Sequence, residues 1–497
     1  MRDTITIKIN FRGGIISPGD LYNILVAATK TGTRNVSFGL RQQLLITVDK
    51  EMEQVFLSAL DLLDIEYETN SDEYPNIISS YPAEEVFISK TWLSEGVYKD
   101  ILDGMDHKPR LKINISDSNQ SFTPMLTGNI NWVASSSAQH FWHLFIRFPK
   151  TNTVYEWTEM LYTNDVAALS HELETMIFQQ KELFYDNANA KGEQLFSLID
   201  KTKYNTRTSE KPAALPFFNL PYYEGLNRIN NKYWLGVYRR DELFSIDFLK
   251  ALCMLCLDTK IGQLCSTPWK TIIVKGIEEK DKDKWSRLLE KYNINMRHAA
   301  NELNFQVEDN SNDALLLKQY LVKQLNNEDT RTFGICIGIK TRKKSEVFSS
   351  ILIRRKPLIR ILGIELFFLY DILCAKDFNP NERTGFVFSK NNLKFVLGEQ
   401  LRCSVLAFIK QRTGQHQITE SNLLPQKEKP KKLMDEQVYQ CRHCLSVYDE
   451  KLGEPETGIA ANTSFELLAD DFSCYLCDSP KKDFVKKSKA SLGLQAI

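Results

Sequence analysis

The sequence predicts an α+β protein built from two related halves, followed by a small metal-clamped module. Three features carry that expectation. At 497 residues the chain exceeds what one hydrophobic core serves, so two or more domains are required. Two segments of like pattern, starting at Ser17 and at Ser245, align without a gap at an offset of 228 residues. Four of the ten cysteines crowd between Cys441 and Cys477.

Composition narrows the class. The chain is 43% hydrophobic and 25% charged with zero formal net charge, ordinary values for a globular protein. Global charge selects no partner, and no nucleic-acid partner is expected. The opening MRDTITIKIN alternates like a strand and has no apolar signal core, while the most apolar stretch, IRILGIELFFLYDILCA, is broken by Arg360, Glu365 and Asp371. The expectation is a cytoplasmic protein with no membrane span. In that compartment ten cysteines read as metal ligands or buried thiols rather than disulfides.

The repeat gives the body its elements. Ser17, Pro18 and Asp20 form a helix start, an N-cap with proline in the first turn. Leu21, Ile24, Leu25 and Ala28 then fall on one helical face, and their partners in the second copy are Leu249, Leu252, Cys253 and Cys256. That register assigns the Cys253/Cys256 pair to the core rather than to a metal or redox motif. Cys265, Cys336, Cys374 and Cys403, isolated in mostly apolar surroundings, are read as core residues too. Strands follow each helix, ending in LLITV and IIVKG.

The segments FRGGIISPGDL, LRQQLLI and RLKINIS give the body a likeness to a known family. It resembles the siroheme nitrite and sulfite reductases, whose two ferredoxin-like halves pair about a pseudo-twofold axis. The resemblance implies ferredoxin-like halves at 1–80 and 216–300 and reductase-like α/β subdomains at 81–215 and 301–420. It also implies that Arg41, Arg110 and Lys112, with Arg12 as a looser match, hold tetrapyrrole carboxylates or an anionic substrate. Arg110 and Lys112, two apart on an expected strand, would project from one face; a solvated basic strand face is the other reading of the pair. In the second copy Trp269 and Lys270 replace the Arg-Gln pair, so no symmetric pocket is expected. The chain departs from the family in one decisive respect. Its four-iron cluster needs C-x5-C and C-x3-C motifs, and neither spacing occurs here, so no 4Fe-4S cluster is expected and siroheme is in doubt.

A polar stretch punctuated by proline, GQHQITESNLLPQKEKPKKLMDEQ, leads from the body to the cysteine clamp, and a linker is expected at 421–436. The clamp is C-x2-C, twenty-nine residues, then C-x2-C, the way two knuckles present four sulfurs to one tetrahedral zinc or iron. Between and after the knuckles stand Tyr448, Asp449, Gly453, Pro455, Gly458, Thr463, Phe465 and Phe484. Over residues 437–484 this resembles rubredoxin. The resemblance implies one iron, cycling between ferric and ferrous states, on Cys441, Cys444, Cys474 and Cys477. Leu445 and Asp478 stand where rubredoxins usually have glycine, Asn462 replaces another glycine, Tyr475 a proline and Phe472 a tryptophan. Residues 437–484 hold nine acidic side chains against four basic ones, which suits a basic docking surface or a solvated acidic one. Residues 485–497 are expected to be a disordered tail.

No dinucleotide fingerprint follows an expected strand, and there is no P-loop. His107, His140 and His143 are candidate metal ligands, but the last two, at odd spacing in HFWHLFIRF, face opposite sides of a strand. The functional expectation is an electron-transfer protein, taking electrons from a reductase and passing them to an acceptor such as a nitrate or nitrite reductase. A siroheme-binding reductase without its cluster, or a zinc-clamped interaction or assembly protein, is the alternative.

Overall fold

Alternation in TITIKI makes the first strand, Thr4–Ile9, two-faced: Ile5, Ile7 and Ile9 enter the core and Thr6 and Lys8 lie opposite. The computed structural model describes residues 3–88, 91–342, 347–361, 364–417, 437–454, 457–489 and 492. They divide into two compact units, 1–416 and 417–497. The linker expected at 421–436 lies outside the described residues.

Helix Pro18–Lys30 starts at Ser17, whose hydroxyl accepts from the Asp20 amide. It is followed by strands Asn35–Phe38 and Leu44–Asp49, helix Glu53–Leu62 and strand Glu68–Thr69. The first strand runs between Leu44–Asp49 and Glu68–Thr69, antiparallel to both, which is a ferredoxin-like βαββαβ arrangement. The second copy repeats it in register: helix Ile246–Asp258 begins and ends 228 residues after Pro18–Lys30, and strand Ile272–Glu278 begins 228 after Leu44. Here the edge beside strand Lys232–Val237 is taken by the preceding strand Gly225–Ile229, not by one after helix Lys282–Lys291.

The copies interlock. Ile15 and Ile16 of the first pair with Cys265 and Leu264 of the second, and Phe244 and Ser245 of the second pair with Val36 and Asn35 of the first. The two long helices pack on each other, with Leu25, Ala28, Cys253 and Cys256 in one core. Cys253 and Cys256 are therefore core thiols, and burial pushes the Cys253 thiol up to about 12. Cys265, Cys336 and Cys374 are buried as well, whereas Cys403 is only half-buried, because its position on helix Lys394–Gln417 turns its sulfur toward Glu399.

Each ferredoxin-like segment precedes a second sheet. Strands Ile78–Ser79, Ile113–Ser116 and Ile130–Ala134 are mutually parallel, and Phe141–Ile146, Tyr155–Tyr162 and Thr206–Thr208 continue antiparallel. The later sheet follows the same plan, with Phe305–Val307, Ile337–Lys340 and Ile351–Ile361 parallel and Ile364–Ala375 and Gly385–Asn392 antiparallel.

Gln42 joins three of these segments. It is 0% exposed; its amide nitrogen donates to the Ser79 and Ser266 carbonyls, both at 3.1 Å, and its amide oxygen accepts from the Ser79 N–H at 2.9 Å. The Ser266 hydroxyl donates to the Gln42 carbonyl at 2.7 Å. Both Gln42 and its counterpart Lys270 adopt positive φ, at 63° and 57°.

In the second unit strand Gln437–Cys441 is central, flanked by Val447–Tyr448 and Phe484–Ser488. Residues 485–488 thus belong to the sheet rather than to a tail: a strand on one partner satisfies their backbone whatever their side chains. Residues 490, 491 and 493–497 lie outside the described residues.

Gln42→Ala would leave the Ser79 amide and two carbonyls without partners in a dry interior. A loss of about 2 kcal/mol or more is expected in urea unfolding of the full chain, against a surface control within about 0.5 kcal/mol.

Candidate functional site

The two cysteine knuckles bring four sulfurs into one volume. The ligand atoms of Cys441, Cys444, Cys474 and Cys477 all lie within 4.8 Å of one another, with 3.7 Å between the Cys441 and Cys477 sulfurs and 3.4 Å between those of Cys444 and Cys474. Four sulfurs about 2.3 Å from one ion stand about 3.8 Å apart, so the set fits a single tetrahedral metal. Each knuckle is closed by its own backbone: the Leu445 N–H donates to the Cys441 carbonyl and the Asp478 N–H to the Cys474 carbonyl. That turn needs a left-handed residue, and Leu445 and Asp478 adopt φ of 63° and 56°, as Asn462 does at 65°. Departure from glycine has therefore not changed the turn; the chain keeps it at a strain of about 1–2 kcal/mol for a residue such as leucine.

Donors converge on the sulfurs. The Cys444 and His443 amides hold the Cys441 thiol below its ordinary value, and the Ser446 hydroxyl and amide hold Cys444 down to about 6. Ser446 Oγ lies 3.2 Å from the Cys444 sulfur and 3.0 Å from that of Cys474, and Ser479 Oγ lies 3.0 Å from the Cys477 sulfur. With the sulfurs ionised, these hydroxyls donate. The two serines are absent from the sequence reading, although the signal was there: each sits two residues after the last cysteine of its knuckle.

The same unit has a largely aromatic core. Tyr439 stacks on Phe465 with 4.0 Å between centroids, and Tyr448, Phe472 and Phe484 pack edge-on or tilted about Phe465. Phe472 fills the position the resemblance gives to tryptophan. Cys441 and Cys474 are buried, while Cys444 and Cys477 reach toward solvent between exposed Leu445, Tyr475 and Leu476.

In the body, the four basic candidates do not converge. Arg41 and Lys112 line a cavity of about 490 Å³, together with Lys8, Asp72, Asp309 and Arg342. The Arg41 guanidinium is engaged by the Asn76 carbonyl at 2.9 and 2.6 Å and by the Ile113 carbonyl at 2.9 Å. Arg12 lines a second, smaller cavity and donates to the Met105 carbonyl at 2.5 Å. Arg110 points elsewhere, to Glu73 at 3.2 Å and over the Phe178 ring. The expected shared face of Arg110 and Lys112 fails because the strand begins only at Ile113; Glu174 takes the Arg110 and Leu111 amides at 2.8 and 2.6 Å, so the backbone there is not pleated.

The cavity lining tests the tetrapyrrole reading. Among the described residues it offers neither cysteine nor histidine as an axial ligand, and two carboxylates, Asp72 and Asp309, stand among its cations. Asp309 follows the strand Phe305–Val307 of the later sheet. It accepts from the Leu40 amide at 3.0 Å and faces Lys270 at 3.4 Å. The cations match the carboxylates of a polycarboxylate macrocycle, whereas the two aspartates and the lack of an axial ligand oppose it. Lys8 went unnoticed in the sequence, although Thr6 and Lys8 alternate with core isoleucines.

His140 and His143 do not share a site. His140 precedes the strand and lies against Trp92, whereas His143 is buried 3.4 Å from Glu156.

Two outcomes follow for the iron-loaded chain. Leu445→Gly relieves the strained turn and raises stability of the module by about 1 kcal/mol, read as thermal loss of visible absorption. Ser446→Ala and Ser479→Ala each remove a donor that stabilises the more negative, reduced centre. Each lowers the reduction potential by on the order of tens of millivolts in redox titration, while a hydroxyl-keeping threonine restores it.

A family model for rubredoxin matches residues 438–484. Rubredoxin 4 of Rhodococcus sp. strain Q15 is 42% identical over 50 residues, 10% of this chain and 83% of that protein. Rubredoxin-2 of Chlorobaculum tepidum is 40% identical over 48 residues, 10% of this chain and 92% of that protein. The high molecular weight rubredoxin of Moorella thermoacetica is 41% identical over 58 residues, 12% of this chain, and the match spans only 25% of that protein. Among solved structures, the NirA protein of Mycobacterium tuberculosis overlays with a TM-score of 0.60 at 14% identity, covering 84% of each chain. That likeness shows a NirA-like α+β fold for the body. The tetrathiolate set of Cys441, Cys444, Cys474 and Cys477 is consistent with a mononuclear rubredoxin iron, and through residues 438–484 the chain belongs to the rubredoxin family.

Proposed function

We propose that this chain is a one-electron carrier whose rubredoxin-type iron serves nitrate or nitrite reduction in the cytoplasm. The observation that carries the proposal is the tetrathiolate centre, with two of its cysteines buried and two partly exposed beside Leu445 and Leu476. Iron bound there supplies a single-electron couple. The protein's part is to fix four sulfurs so that little rearrangement accompanies the change of charge, and to tune the couple through the Ser446 and Ser479 donors. Exposed Leu445 and Leu476, 63% and 62% accessible, give a partner an apolar contact next to Cys444 and Cys477. The surrounding acidic excess favours a basic partner surface, so the reductase donor and the acceptor are read as proteins.

The nitrogen-oxide pathway rests on the NirA-like fold together with the sequence likeness to siroheme nitrite and sulfite reductases. The interlocked copies support reading the two halves as a pseudo-twofold pair, with limits near 1–80, 81–215, 216–300 and 301–420. Arg41 and Lys112 then bind a small anion or brace the cavity wall. A siroheme enzyme is the second reading, favoured by the cations and opposed by the carboxylates in the same lining. No helix among the described residues is long and apolar enough to cross a membrane.

Rapid mixing of the reduced chain distinguishes the readings. A carrier is inert toward nitrite and sulfite but is reoxidised by a basic one-electron acceptor such as cytochrome c, at a rate that falls as salt is added. Stoichiometric reoxidation by nitrite alone would make the body a reductase and overturn the proposal.

A further inference from the structure

A second cluster of ligating side chains lies in the body, far in sequence from the cysteines. Asp106 and His107 are in the loop after helix Glu95–Asp103, and His171 is on helix Val166–Gln179. Their ligand atoms all lie within 4.8 Å of one another. The rings of His107 and His171 stack with 4.1 Å between centroids and 17° between planes, and Asp106 Oδ1 stands 3.6 Å from His107 Nδ1, beyond hydrogen-bond reach.

His107 makes the cluster more than a surface coincidence. Its side chain is 15% exposed, and both ring nitrogens are shut away from solvent with no hydrogen-bond partner. A buried imidazole with neither nitrogen satisfied is unfavourable, and such an orphan calls for an ion or a water. The neighbouring groups are otherwise engaged. Glu174, one turn beyond His171, accepts from the Arg110 and Leu111 amides, and Lys108 pairs with Glu66 at 2.9 Å. Arg12 donates to the Met105 carbonyl, one residue before Asp106.

We propose that Asp106, His107 and His171 bind one divalent transition-metal ion of the imidazole-preferring class, such as Zn2+, Ni2+ or Co2+. Two imidazoles and one carboxylate are a donor set for these ions, and the remaining positions fall to water. Parallel rings cannot aim at one ion, so binding turns the His171 ring out of the stack, which its exposed position allows. The ion ties loop 104–109 to helix Val166–Gln179. Lys108 and Pro109 of that loop line the second cavity beside Arg12, so the metal fixes a wall of it.

Calorimetric titration of Zn2+ into the iron-loaded full chain tests this, with the visible band followed to verify that the cysteine centre keeps its iron. One zinc per chain is expected beyond the iron. His171→Ala, at an exposed position that leaves the fold intact, should weaken it at least about tenfold, and His443→Ala, beside the cysteine centre, should leave it unchanged. Asp106→Asn should weaken binding by less. No zinc bound beyond the iron, or equal affinity in His171→Ala, overturns the assignment.

Discussion

Four cysteine sulfurs gathered within 4.8 Å of one another would repel as thiolates unless a cation neutralised them, and the second unit is arranged around that constraint. Its hydrophobic core is small, with Tyr448, Phe465 and Leu468 buried and a few partly buried rings around them. A module of this size gains much of its folding free energy from the metal itself. Both knuckles keep the glycine-type turn although Leu445 and Asp478 occupy it, which shows how strongly four-sulfur geometry dictates the backbone. The unequal burial of the sulfurs follows from the same arrangement. Cys441 and Cys474 are buried, whereas Cys444 and Cys477 are only partly so.

The body depends on a different device, the exchange of edge strands between its two copies. Each copy donates a short strand to the other's sheet, and Gln42 ties the crossing point to Ser79 and Ser266. The cavity lies where these segments meet the later sheet: Lys8, Arg41, Lys112 and Asp309 reach it from parts of the chain up to some three hundred residues apart. Its lining mixes the cations Lys8, Arg41, Lys112 and Arg342 with the carboxylates Asp72 and Asp309, a donor set unlike the uniformly cationic one that a polyanionic macrocycle requires.

Much of this was legible in the sequence where the signal is local. The helical stripe of Leu21, Ile24, Leu25 and Ala28 gave the helix, and its counterpart identified Cys253 and Cys256 as core thiols. The two C-x2-C pairs located the metal ligands. What the sequence hid depends on contacts across the chain. Arg110 and Lys112 part company because Glu174, more than sixty residues away, takes the intervening amides. Residues 485–488 read as part of a disordered tail, yet their backbone finds an open strand edge at Gln437–Cys441. Asp309 enters the cavity through contacts with Leu40 and Lys270 that no local pattern announces.

An electron carrier requires a redox-active iron on the four cysteines. The most direct test is the visible spectrum of the purified full chain, oxidised and then reduced, on a sample whose iron and zinc have been counted. One iron per chain is expected, with thiolate-to-iron bands that bleach on one-electron reduction. A colourless protein with one zinc per cysteine centre, persisting after expression in iron-rich medium, would contradict it.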